Sequence, residues 1–306
     1  MSRFVEITRF GGPDVLAVTE VEPPRAGPGE VRVRVRAAGL NPVDYKIFAG
    51  GPAAVSYGVS LPSGNGNDFS GVIDEVGEGV TAFSVGSAVL GGRRYFAQAD
   101  YVVVPVDTII AKPDSLSFEQ AGCLDIVGRT AWASVRSLHL TADDTVLVSA
   151  AAGGVGVLAS QLAVRTGATV IGTAGIRNHE FLRTLGVIPV AYGEGLVDRL
   201  RALAPQGVTA VLDNNGPATI EAALELGVAP ERINTIAAHG YRPDLGIGHV
   251  GGAVADLADL AELAELIASG DIQLPIDATY PLERVTEAYE RMMAGHLRGK
   301  IALVTE

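Results

Sequence analysis

The feature that most constrains this chain is a short run of residues, 145–149, that leads into Ala150-Ala151-Ala152-Gly153-Gly154-Val155-Gly156 and then into apolar residues at helical spacing over 155–165. A continuous apolar run of that length reads as a strand buried on both faces of a sheet. Strand, glycine loop and helix in that order make a turn suited to the pyrophosphate of a dinucleotide. Gly153 lets the backbone approach the anion, Gly156 lets the helix pack close, and the helix N-terminus supplies unpaired N–H groups and positive dipole. The first glycine of the usual G-x-G-x-x-G is replaced by Ala151.

Downstream the alternation continues. Strand patterns at 169–172, 189–191, 209–212 and 232–236 are separated by helical patterns at 178–185, 195–204 and 217–226, and 245–250 offers a sixth strand. Strand–helix alternation implies parallel pairing with right-handed crossovers, hence a doubly wound sheet. Up to about residue 113 the texture differs: apolar runs at 4–8, 15–21, 31–37, 71–76, 88–90 and 101–104 are short and punctuated by turn residues. In Val31-Arg32-Val33-Arg34-Val35-Arg36 the valines and arginines alternate strictly, one set to each face of a strand. This region reads as a partly open, antiparallel β-barrel.

After residue 252 come a helix over 255–268, closed by a glycine C-cap at Ser269-Gly270, a strand at 276–280, a helix through 293 and a last strand at 300–304. With 306 residues, one core is too few. The expected division is a first domain over 1–119, a nucleotide-binding domain over 120–252, and a tail, 253–306, returning to the first.

Net charge is −12, which argues against non-specific binding to nucleic acid. The single cysteine, Cys123, lies in an apolar stretch and excludes an internal disulfide or a cysteine-rich metal site. The N-terminus lacks the pattern of a signal peptide, and no run of ~18 apolar residues suits a membrane span. A cytoplasmic location is expected.

An NAD site normally has Asp or Glu ~20 residues beyond the glycines, to bind the ribose 2′-hydroxyl. Residues 172–178 contain no acid, whereas Arg177 is available for a 2′-phosphate and Tyr192, after the third strand, for a hydroxyl contact. The expected cofactor is NADP(H).

Several ordered segments carry a resemblance: 37–45 (Ala-Ala-Gly-Leu-Asn-Pro-Val-Asp-Tyr), 66–77 (Gly-Asn-Asp-Phe-Ser-Gly-Val-Ile-Asp-Glu-Val-Gly), 128–132 (Gly-Arg-Thr-Ala-Trp), the glycine loop, 280–283 and 299–301. By these the chain resembles the medium-chain dehydrogenase/reductase superfamily, in its zinc-free quinone oxidoreductase (zeta-crystallin-like) branch. The resemblance implies an α/β chain with a GroES-like catalytic domain and a Rossmann domain. It also implies that Ala152, Gly153, Gly154, Val155, Gly156, Thr173 and Ala174 lie along the cofactor. Gly175, Arg177 and Tyr192 would surround its adenosine phosphate, and Thr130, Ala237 and Val250 would border its nicotinamide. A homodimer through the edge near 245–250 is a further implication.

Zinc-dependent members carry a cysteine where this chain has Asn41, and Gly-His-Glu where it has Gly66-Asn67-Asp68. Neither asparagine suits a first-shell zinc position, and the five histidines show no ligand spacing. No metal is expected. Without a Lewis acid, hydride transfer is easier to a conjugated acceptor that spreads the charge itself. The substrate class is then a quinone or an activated alkene (an enone or enal). Tyr45 is a candidate proton donor or an aromatic wall, with Asn41 and Asp44 as hydrogen-bonding partners of substrate or cofactor, Asp44 alternatively a buried structural acceptor. Arg93 and Arg94 are surface residues or contacts to an anionic substrate. Two other readings stay open: a trans-acting enoyl-thioester reductase of polyketide or fatty-acid synthesis, and a non-catalytic NADPH-binding protein.

Overall fold

The computed structural model describes residues 1–305. In chain order the first stretch forms β1 (Ser2–Ile7), β2 (Leu16–Val21), β3 (Glu30–Gly39), α1 (Pro42–Phe48), α2 (Gly51–Ser56), β4 (Ser63–Gly64), β5 (Asp68–Val76), β6 (Ala88–Gly92), β7 (Tyr101–Pro105), β8 (Ile109–Ala111), α3 (Phe118–Ala121) and α4 (Asp125–Ser137). Then alternate β9 (Thr145–Val148), α5 (Gly154–Arg165), β10 (Thr169–Thr173), α6 (His179–Thr184), β11 (Ile188–Val190), α7 (Leu196–Leu203), β12 (Ala210–Asp213), α8 (Pro217–Glu225) and β13 (Ile233–Thr235). The chain closes with α9 (Leu257–Ala268), β14 (Ile276–Pro281), α10 (Val285–Met293) and β15 (Lys300–Val304).

Two compact units result. One comprises residues 1–126, 260–271 and 275–306, the other 127–259 and 272–274. In the first, β14 and β15 extend the sheet built on β3, β5, β6 and β8, with β7 also pairing to β3. The 31–36 alternation determines how β3 sits. Val31, Val33 and Val35 are buried among Phe69, Ile73 and Val102, while the Arg32 fork grips both Asp74 carboxylate oxygens at 2.9 and 3.0 Å. A second apolar cluster joins Leu40 and Phe48 to Val285, Tyr289 and Leu303, so the C-terminal tail is part of this core.

In the second unit the sheet is wholly parallel, ordered β11-β10-β9-β12-β13. Its core joins Leu147, Ile171 and Val211 to Leu200 and Ile220 from the covering helices. The sixth strand expected over 245–250 does not form. Only Gly248 bridges to Asn234, because Arg242 and Gly246 both take left-handed backbone and coil the segment before it.

Candidate functional site

Each unit carries one half of the candidate machinery. In the first, β3 ends at Gly39 and Pro42 opens α1, with Asn41 as the N-cap in extended conformation. The Asp44 carboxylate accepts the Asn41 backbone N–H (2.8 Å), the Asn67 amide (2.5 Å) and the Tyr289 hydroxyl (3.0 Å). Tyr289 in turn accepts from Asn65 (2.9 Å) and Gln98 (2.8 Å). The Asn41 side chain is held at both ends: its Nδ2 donates to Asp68 (2.9 Å) and its Oδ1 accepts from the Lys300 ammonium at 2.5 Å. Lys300 also donates to the Leu40 carbonyl, and Asp68 accepts the Ile126 N–H at 3.1 Å.

Asn41 and Asp44 are each only 1 % exposed. Both are tied into buried scaffolding beneath α1, the structural alternative that the sequence left open for Asp44. Tyr45, the next residue, is half-buried against the cluster of Leu40, Phe48 and Val285. Sequence reasoning missed Lys300 and Tyr289 as members of this network. The signals were a lysine heading an otherwise apolar strand, and a tyrosine at core spacing from Val285 and Met292.

Burial dominates the charges here. It pushes the Asp44 carboxyl up to about 6 against its three donors, and the Asp68 carboxyl up to about 8 despite the Lys300 cation, with Asp125 adding to the rise. Both folded values lie above those of an unfolded chain, so both groups bind protons more tightly when folded. Their stabilisation is complete below about pH 4 and is lost as pH rises through the folded values. Asp100, held low by Arg3, works the other way, but only below about pH 4. The unfolding free energy of the first unit, extrapolated from urea, is therefore expected to fall between pH 5 and 9 by on the order of a few kcal/mol, and Asp68→Asn to flatten that fall. An unfolding free energy that rises over this range would show that these carboxyls are not destabilised by burial.

The second half lies at the carboxyl ends of β9 and β10. Ala150 adopts a left-handed φ of 48° and its N–H donates to Thr173 Oγ1 at 3.1 Å, while the Ala151 N–H donates to the Thr173 carbonyl at 2.9 Å. Ala151 fits in place of a glycine because its partner on β10 is Gly172, where a Cβ would lie 2.6 Å from that of Ala151. Gly153 caps α5, and Gly153, Gly154 and Val155 form its half-exposed start, with Ala152 and Gly156 buried on either side. The first-turn N–H groups of this 12-residue helix have no intrahelical partner and open onto the loop.

Beyond β10, Thr173 and Ala174 are buried, whereas Arg177 is exposed and Tyr192 is 51 % exposed. The Tyr192 hydroxyl lies 3.9 Å from where a Cβ of Gly175 would stand, so these residues share one corner. On the other flank, Ser134 of α4 donates to the Val250 carbonyl (3.2 Å), and Thr130, one turn earlier, borders Gly252, whose Cβ would lie 3.1 Å from Thr130 Oγ1. Ala237 donates its N–H to Thr235 Oγ1 at 3.2 Å. Asp213, at the end of β12, accepts from Ser149 (2.8 Å), Thr235 (2.7 Å) and the Gly216 N–H, locking three strand ends together.

Known proteins resemble the chain along its length. Residues 27–114 match the family described as alcohol dehydrogenase GroES-like domain, and residues 185–303 that described as zinc-binding dehydrogenase. A quinone oxidoreductase of Pseudomonas aeruginosa is 30 % identical, over 99 % of this chain and all of the relative. The Escherichia coli quinone oxidoreductase solved in complex with NADPH superposes with a TM-score of 0.86 at 27 % identity, covering 99 % of this chain and 100 % of that one. A solved NAD-dependent alcohol dehydrogenase superposes with a TM-score of 0.89 at 29 % identity, again over 99 % and 100 %.

The second family description implies zinc, and the residues do not fit it. The polar cluster offers two amides, two carboxylates and an ammonium, and the ammonium already occupies the Asn41 oxygen. Among the described residues no three His, Cys, Asp or Glu side chains group to hold a metal. The one thiol, Cys123, is buried, pushed up to about 12 and bonded to the Ile301 carbonyl. A zinc site needs deprotonated thiolate, imidazole or carboxylate ligands around an open position.

Proposed function

The chain belongs to the medium-chain dehydrogenase/reductase superfamily, and from that premise we propose that it is an NADPH-dependent, zinc-independent reductase of quinones or activated alkenes. The observation that carries the reading is the cluster in which Asn41 is tied between Lys300 and Asp68. With that cluster in place of a Lewis acid, the acceptor must delocalise the arriving charge itself, as a quinone, enone or enal does. NADPH, when bound, supplies the hydride. The Ala152–Gly156 stretch receives the pyrophosphate, Thr173, Ala174 and Gly175 line the adenosine ribose, and Arg177 and Tyr192 take the 2′-phosphate. In the second unit Thr130, Ala237 and Val250 border the nicotinamide; in the first, Tyr45 is the candidate proton donor or aromatic wall, and Asn41 and Asp44 hold α1 in place. Among the described residues no helix is long and apolar enough to cross a membrane.

NADPH consumption with a quinone, an enone and an enoyl thioester, repeated with NADH, tests the reading. Turnover with NADPH at least tenfold above NADH is expected, about the factor carried by one charge-assisted contact. Arg177→Ala should weaken NADPH binding about 10- to 100-fold and leave NADH unaffected. A wild-type preference for NADH would remove the role given to Arg177.

A further inference from the structure

A dinucleotide seated by its pyrophosphate on the loop after β9 extends both ways along the carboxyl edge of the sheet. Its adenosine half is claimed by Arg177 and Tyr192 beyond β10 and β11, so its nicotinamide half runs toward β12 and β13, ~5 Å per strand. That end carries a pair of imidazoles not used so far. β13 ends at Thr235, and four residues later stands His239. The returning segment sets His249 beside it, ring centroids 5.5 Å apart and planes inclined by 33°.

The two segments are held in register. Thr235 donates to the Gly248 carbonyl and Gly248 to that of Ile233, both at 2.9 Å. Asn234 clamps Val250 from both sides, accepting its N–H at 2.7 Å and donating to its carbonyl at 2.9 Å. Both histidines are exposed, so water reaches them. The charged groups of this loop and of α8 are engaged with one another: Arg242 with Glu221 (3.4 Å) and Asp244 (3.5 Å), and Tyr241 with Glu221 (2.9 Å).

We propose that His239 and His249 are the proton source of the reductase, an inference that rests on the function proposed above and deepens it. Imidazole gives and takes protons through its ring nitrogens, and here two such rings stand in contact, exposed to water, just beyond the end of β13. In the reaction the acceptor's β-carbon gains hydride and its alkene electron pair moves toward the carbonyl as an enolate. The imidazolium N–H bond breaks, its proton forms the α-carbon C–H bond, and water recharges the neutral ring. Two-electron reduction of the alkene balances two-electron oxidation of the nicotinamide. Tyr45 is the weaker candidate, because a phenol is a poor acid at neutral pH and this hydroxyl has no hydrogen-bonded relay among the described residues.

The test uses the full chain with NADPH, comparing His239→Gln, His249→Gln and the double variant in enone reduction. The double variant is expected to lower kcat about 100-fold or more, to lose the decline of rate with rising pH, and to bind NADPH within about twofold of wild type by fluorescence. Proton NMR of the cofactor-free chain supplies a readout apart from turnover: with the rings in contact, either single substitution should shift the ring C–H resonances of the remaining histidine. An unchanged kcat in the double variant overturns the proposal, and a loss in Tyr45→Phe instead assigns the proton to that phenol. A wild-type chain that consumes NADPH with none of the acceptors fails differently, removing the functional reading and the proton role together.

Discussion

Replacing Asp44 by Ala is expected to lower the melting temperature of the first unit by about 10 °C, for a loss of roughly 3–5 kcal/mol. One carboxylate receives donors from the N-cap of its own helix α1, from the Asn67 loop and from the Tyr289 hydroxyl of α10. Truncation leaves three buried donors without an acceptor, each costing about 1–3 kcal/mol before relaxation. Asp44→Asn keeps one acceptor oxygen but turns an N–H₂ toward donors, so its loss should be intermediate. Calorimetry gives the magnitude and hydrogen exchange the location, with amides of α10 and β15 losing protection while those of β9 and β12 keep theirs. A melt within 2 °C of wild type would mean that Asp44 is not the hub its contacts describe.

That hub shows where a sequence stops being readable. The valine–arginine alternation of β3 and the strand–loop–helix of β9 and α5 are local patterns, and the residues that form them lie within a few positions of each other. The same locality made the glycine loop legible, even with Ala151 in place of a glycine. Its compensation, Gly172 on the facing strand, lies 21 residues away and carries no periodic signature. Lys300 meets Asn41 across 259 residues and Tyr289 meets Asp44 across 245. No window of sequence contains either pair, so the side chains that hold Asn41 and Asp44 in the fold could not be read from their neighbours along the chain. The missing sixth strand had the opposite cause. Its apolar spacing suited a strand, but the left-handed turns at Arg242 and Gly246 left only Gly248 in register.

Gly156→Ala should weaken NADPH binding about 100-fold, or about 2.7 kcal/mol, and destabilise the second unit by roughly 1–3 kcal/mol. A Cβ at this position would lie 2.2 Å from the Ala150 carbonyl oxygen and 2.8 Å from its carbon. Backbone cannot yield there. Ala150 is fixed by its own N–H to Thr173 Oγ1 and by the Gly153 N–H on its carbonyl at 2.9 Å. The start of α5 must therefore withdraw by about 1 Å to reach ordinary contact, which lengthens the charge-assisted bonds its N–H groups make to a pyrophosphate. Gly153→Ala is the informative comparison. Its Cβ would stand 3.2 Å from the same oxygen, a contact that a few tenths of an ångström relieves, at a φ of −80° that any residue adopts. This second variant should melt like wild type and lose affinity only because a methyl group stands where the anion approaches. If Gly156→Ala binds NADPH as tightly as wild type, the pyrophosphate does not sit on this loop. If both variants lose affinity and only Gly156→Ala loses stability, the two glycines serve separate ends, one open to the ligand and the other closing the helix onto the turn.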